Sequence, residues 1–223
     1  MEQLQLRLAS GRRGGARLGA GRKRLPNKLR HTPHRARPAH RAAHPVHVTL
    51  RASLRSLRHE HVAGTVLAAL RASNRPWFRL VHYSIQDNHV HLIVEAESKA
   101  KLSSGVRGLM IRVARRVNRL LFRRGRFWAD RWHGHALSGP RQVRNALVYV
   151  LQNHRKHVGS SAMPLLDPLS SSYWFDGFAE PIPRGFRSTG PPCVLPARSW
   201  LVTLGWRRRG LIRLSESPRP ETS

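Results

Sequence analysis

The stretch QDNHVHLIVEA, residues 86–96, decides how this chain folds. Val90, Leu92 and Val94 recur at every second position, the period of a half-buried strand. That parity sends His89 and His91 together to the other face, because residues i and i+2 of a strand point the same way. Asp87-Asn88 can turn tightly just ahead of it. WFRLVHYSI (77–85), aromatic and β-branched, supplies the partner strand of a hairpin.

The pattern extends outwards from this hairpin. VHVTLRA (46–52) alternates Val46, Val48 and Leu50 and reads as a further strand. Residues 57–72 carry Leu57, Val62, Val66, Leu67 and Leu70 at roughly helical spacing, and Asn74-Arg75-Pro76 breaks that helix. After the hairpin, Val106, Leu109, Met110, Val113, Ala114, Val117, Leu120 and Leu121 form one apolar helical stripe. RFWADRWHGHAL (126–137) reads as a strand, and Ser138-Gly139-Pro140 opens a last helix expected to run to about Val158. The order β-α-β-β-α-β-α predicts an α+β fold, an antiparallel sheet with helices on one face. It spans residues 45–158, between a basic arm (1–44) and an irregular C-terminal extension (159–223).

The chain has 223 residues, 41 of them Lys or Arg against 11 Asp or Glu, a net charge of +30. Repulsion of that density calls for a polyanion. Nucleic acid is the leading partner, because Lys and Arg displace counterions from phosphates; an anionic membrane surface comes second. Cys193 is the only cysteine, which excludes intramolecular disulfides and cysteine zinc clusters and fits a reducing cytoplasm. No apolar run approaches the ~20 residues of a membrane helix, and the N-terminus has no signal-peptide core. The arm holds twelve basic residues and a single acid, Glu2; it is expected to be disordered alone, either solubilising the protein or draping over phosphates.

Three His-x-His triplets occur, His59/His61, His89/His91 and His133/His135. The first falls at a helix start, where i and i+2 diverge by about 200°. Gly134 loosens the third. His89/His91 has the firmest strand frame, and two imidazoles on one face can share a cation. A metal site needs a third ligand and a task.

The last helix offers both. Its stripe is Val143, Ala146, Leu147, Val150, Leu151 and Val158, and Tyr149 falls roughly 140° from the centre of that stripe. Tyr149 either packs beneath the C-terminal extension or serves as a nucleophile. Its phenol, with an ordinary pKa near 10, would need a neighbouring cation or base to attack phosphorus, and a divalent metal would polarise the phosphodiester. Asn153, four residues on, would share its face and could ligate Mg²⁺ or Mn²⁺. Lys156 either contacts phosphate or is solvated.

With these residues the chain resembles the HUH-type single-tyrosine transposases, and within them the REP-associated tyrosine transposases. DNHVHLIVEA is similar to that family's histidine strand, and RFWADRWHGHAL followed by VRNALVYVLQNHRKH to its strand and tyrosine helix. The resemblance covers roughly residues 45–158. It implies a ferredoxin-like fold, often dimeric, and a metal-dependent endonuclease and strand transferase acting on single-stranded DNA near hairpins. His89 and His91 would be metal ligands, Tyr149 the nucleophile that forms a 5′-phosphotyrosine, and Asn153 the polar third position. A bacterial, nucleoid-associated protein follows. Many relatives have Asn-Pro after the tyrosine turn, whereas here Asn153 is followed by His154-Arg155-Lys156-His157. The helix is therefore expected to continue, with His154 a rival ligand pointing at the apolar stripe.

The same resemblance gives the charge a task. Arg112, Arg115 and Arg119, off the long helix's stripe, line a phosphate-tracking surface or a solvated face. SWLVTLGWRRRGLI (199–212) sets Trp200 and Trp206 beside Arg207, Arg208 and Arg209, either to stack bases or to dock the tail. Two further readings differ in class: a non-catalytic nucleic-acid-binding regulator on the same fold, and a ribosome-associated basic protein.

Overall fold

The computed structural model describes residues 39–156, 165–183 and 191–218. Four strands, β1 (Val46–Arg51), β2 (Phe78–Ile85), β3 (His89–Ala96) and β4 (His133–Ala136), form one antiparallel sheet in the order β2-β3-β1-β4. The helices are α1 (Glu60–Arg71), α2 (Lys99–Leu120) and α3 (Pro140–Leu151), followed by a short α4 (Trp200–Thr203). Strand β3 lies between β1 and β2, and β1 between β3 and β4, so each helical crossover spans one intervening strand.

Period-two patterning sorts the sheet into two faces. Val48, Leu50, Val90, Leu92 and Val94 face α1 and α2 in the larger core, with Leu70, Val106, Leu109 and Val113. Ile93 belongs to a second core with Val143, Leu147, Val150 and Leu151 of α3. The expected α+β antiparallel architecture is present, but the helices do not share one face: α1 and α2 cover one side and α3 the other. A bulge in β2 between Leu80 and His82 sets Val81 and His82 towards α3 before Tyr83 returns to the larger core.

The C-terminal extension completes the second core. Leu166, Phe175, Phe178, Leu201, Trp206, Ile212 and Leu214 pack against α3. Asp167, buried, takes both terminal nitrogens of Arg58 at 2.8 and 3.0 Å and ties the extension to the segment before α1. Residues 1–38, which hold most of the expected arm, lie outside the described residues.

Two boundaries differ from expectation. The strand expected over 126–137 is reduced to β4; Phe127 and Ala129 bond only the end of β1, and the ladder resumes at His133. Helix α3 stops at Leu151. Gln152 takes φ −116°, ψ 16°, and its side chain donates to the Arg213 carbonyl and accepts from Arg155 Nε. A 3-10 turn, Asn153–Lys156, follows. The cap is thus made by the extension, whose sequence gives no local warning, and Val158 lies outside the described residues.

Helix α2 approaches the sheet most closely at Gly105, where an added Cβ would sit 2.2 Å from Cγ and Cδ2 of the fully buried Phe78. Gly105→Ala gains helix propensity of about 1 kcal/mol but overpacks the core at a greater cost. We expect a net loss of about 2 kcal/mol, a fall in Tm of roughly 4–8 °C; a thermal melt at or above the wild-type Tm would contradict this packing.

His82 reports on the second core. Its Nδ1 lies 3.1 Å from Ser171 Oγ and its ring packs edge-on against Phe175. Burial lowers its pKa to about 4, offset in part by Asp176. An unfolded histidine titrates near 6.5, so between those values the unfolded chain binds the proton first. The stabilisation is complete above pH 6.5 and is lost as pH falls towards 4. Between pH 7.5 and 5.0 the wild type should lose about 2 kcal/mol more than His82→Gln in urea titrations; equal losses would place the proton elsewhere.

Candidate active site

The face of the sheet beneath α3 is lined with histidines. On β1, His47 and Thr49 alternate with the core residues Val46, Val48 and Leu50. Across the ladders, Thr49 pairs with His91 and His133, and His47 pairs with Ile93 and His135. Directly opposed residues share a face, so His47, His89, His91, His133 and His135 all look the same way. Strand parity alone therefore does not separate the second triplet from the third.

Tyr149 separates them. Its ring meets His91 edge-on at 5.0 Å between centroids and His47 at 5.5 Å, while His89 and His91 stack at 6.0 Å. His133 and His135 are exposed at the sheet edge, whereas His91 is only 6% exposed. His91 Nδ1 lies 3.3 Å from Thr49 Oγ1, a bond that fixes the ring through one nitrogen, as ligating histidines commonly are. The tyrosine that avoids its helix's apolar stripe thus lies over the polar part of the sheet, half-buried against the second core.

A cleft of about 1100 Å³ opens at this point, lined by His47, His135, Asn145 and Tyr149, with Arg141 and Arg209 among its cations. Arg144 also lines it but is committed: it forms a bidentate pair with Glu216 at 2.7 and 2.8 Å and donates to the carbonyls of Gly210 and Leu211. Glu216, Ser217 and Pro218 form the far wall.

Residues 44–153, which contain the whole of this face and α3, match the family model described as transposase IS200-like. The chain carries an IS200-like transposase domain. The solved structure of a REP-associated tyrosine transposase bound to a REP hairpin is similar to it, with a TM-score of 0.54 and 17% identity over 75% of this chain and 93% of that one. At that identity the likeness speaks for the fold. No curated protein matches the chain.

Within the transposase domain the expected site residues are distributed unevenly. His89, His91 and Tyr149 come together. Asn153 no longer shares a helical face with Tyr149, since α3 ends between them; it is 2% exposed, and its Oδ1 has no hydrogen-bond partner. His154 is buried alongside. Lys156 ends the 3-10 turn, and its side chain lies outside the described residues.

Arg112, Arg115 and Arg119 are on α2, across the sheet from Tyr149, so they do not line this cleft. Arg112 donates to Ser73 Oγ at 3.0 Å, and the other two are exposed. The tryptophans of the extension part company. Trp206 is buried and donates to the Val202 carbonyl, with Arg207 over its ring and paired to Asp176. Trp200 is 48% exposed, with Arg208 over its ring.

A divalent cation is what the family resemblance implies, and the side chains can be tested for fit. Among the described residues no three His, Cys, Asp or Glu side chains converge on one point. A site on His89 and His91 must therefore take its next ligand from an amide, a hydroxyl or the substrate. The buried, unpartnered amide oxygen of Asn153 is such a donor, and an amide oxygen suits a hard cation. The residues fit.

His47 is the contributor that sequence reasoning missed. It sits in a strand read for Val46, Val48 and Leu50, and only the pairing of β1 beside β3 brings it to Tyr149. Burial, and secondarily the neighbouring His135, lower its pKa to about 4. At neutral pH it is uncharged, keeps a lone pair and adds no positive charge beside His91. Among the described residues no helix is long and apolar enough to cross a membrane.

Proposed function

We propose that the protein is a DNA transposase that cleaves and rejoins single-stranded DNA through Tyr149, at hairpin-forming repeats. The observation that carries this reading is the edge-on contact of buried His91 with Tyr149, 5.0 Å between ring centres, where Tyr149 lines an open cleft. The other two tyrosines are poor candidates. Tyr83 is fully buried, and burial raises the phenol pKa of both Tyr83 and Tyr173.

In the proposed step the Tyr149 phenolic oxygen attacks the scissile phosphorus. The P–O3′ bond breaks, the 3′ oxygen leaves and takes a proton, and the 5′ phosphate stays on the tyrosine. The phenol proton passes through water in the open cleft to the departing 3′ oxygen, and neutral His47 packs edge-on against the tyrosine ring. Rejoining is the reverse attack by a 3′-OH, so the phosphodiester bond is conserved without an external energy source. His89, His91 and Asn153 would hold Mg²⁺ or Mn²⁺, which supplies Lewis-acid polarisation of the phosphodiester when bound. Arg141 and Arg209 lie along the cleft to meet the backbone phosphates.

The similar solved transposase is bound to a REP hairpin, which makes a hairpin with a single-stranded flank the substrate to try first. With such an oligonucleotide and Mn²⁺ or Mg²⁺, the full chain should give a band that survives denaturation, carries the 5′ end of the downstream fragment and disappears with a chelator. Salt-sensitive binding without any such band would point instead to a DNA-binding regulator.

A further inference from the structure

A second cavity, of about 620 Å³, lies beyond the start of α3 from the tyrosine cleft. Ser138 lines it, while Leu137, Arg141 and Gln142 line the cleft, so the two recesses share the α3 N-terminal turn as a wall. The Gln142 amide oxygen accepts from both N–H and O–H of Ser138 and holds that wall in place.

Two tryptophans line this cavity. Trp77, half-buried, has the Lys101 ammonium 4.8 Å from its ring centre, and Trp200, 48% exposed, has the Arg208 guanidinium at 5.0 Å. Glu95 is already committed, accepting from the backbone N–H groups of Arg198 and Ser199 at 2.8 Å each and lying 3.9 Å from Arg79 Nε. Two polar atoms here are buried without a hydrogen-bond partner, Arg79 Nε and Ser199 Oγ. Glu97 is an exposed carboxylate on the rim.

These are the requirements of a nucleobase: aromatic surface to stack on, cations for its phosphate, and polar atoms for its edge. The volume lies in the range of sites that enclose small molecules, about 300–1000 Å³. We propose that this cavity takes one unstacked base of the single-stranded segment that reaches Tyr149, stacked on Trp200 and read at its edge by Ser199 and Glu97. The proposal rests on the single-stranded-DNA reading above and adds a position-specific subsite to it. Neither Trp77 nor Trp200 touches the tyrosine cleft.

The test is an abasic scan. A labelled hairpin with a single-stranded flank, carrying one abasic nucleotide at each position in turn, is titrated into full-length Tyr149→Phe, which leaves the DNA intact. One position should lose roughly tenfold in affinity when its base is removed. In the Tyr149→Phe/Trp200→Ala protein the intact DNA should bind roughly tenfold more weakly and that position should become indifferent; Trp200→Phe should restore most of the penalty. Equal abasic penalties with and without Trp200, or a changed oligomeric state in Trp200→Ala, overturn the base pocket. The covalent adduct is read separately with Tyr149 present. An adduct without Trp200-dependent penalties leaves the tyrosine reading standing alone, and penalties without an adduct leave the pocket standing alone.

Discussion

Replacing Tyr149 with phenylalanine should abolish the covalent protein–DNA adduct and reduce cleavage by on the order of 10⁴-fold or more, as expected when the attacking atom itself is removed. The substitution deletes one oxygen and keeps the ring. The edge contacts with His91 and His47, at 5.0 and 5.5 Å, depend on the ring and should persist. Folding and DNA affinity are therefore expected to stay close to wild type, within about twofold, since most of the affinity comes from contacts to phosphates. Gel-shift and single-turnover cleavage assays on the same oligonucleotide separate the two effects. A variant that still cleaves at the wild-type rate would mean that water or another side chain is the nucleophile.

His91→Ala should have the second largest effect. His91 is buried, fixed by Thr49 and in contact with Tyr149, so its removal takes away the proposed metal ligand and the ring that Tyr149 packs against. Disturbing only the outer partners of a metal ligand costs 10–100-fold in affinity, and loss of the ligand should cost on the order of a hundredfold or more. Mn²⁺ titration by calorimetry or electron paramagnetic resonance reads this without reference to activity. The discriminating control is His133→Ala, an exposed histidine of the other triplet on the same face. Weakened Mn²⁺ binding in His133→Ala with normal binding in His91→Ala would move the metal to β4.

Much of this architecture was legible because period-two and helical patterns are local. Val90, Leu92 and Val94 placed β3, and the stripe from Val106 to Val117 placed α2, since each buried face is written in its own segment. The end of α3 was not legible, because Gln152 is turned out of the helix by Arg213, sixty-one residues away. Nor was the role of His47, which depends on which strand lies beside which. The arginines of α2 show a related limit. Helical periodicity shows which side of a helix is apolar, but not which face of the sheet the helix covers. The two tryptophans of the extension show the same limit, since one sequence motif sends Trp206 into the core and leaves Trp200 open.

The covalent link between Tyr149 and DNA can be read by trapping the adduct on a hairpin oligonucleotide with Mn²⁺, digesting the protein and locating the nucleotide-bearing peptide by mass spectrometry. The chain has three tyrosines, so the assignment is unambiguous. The 5′ phosphate is expected on the peptide containing Tyr149 and on neither of the peptides containing Tyr83 and Tyr173. DNA found on Tyr173, or cleaved DNA with no peptide attached, would mean that Tyr149 is not the nucleophile.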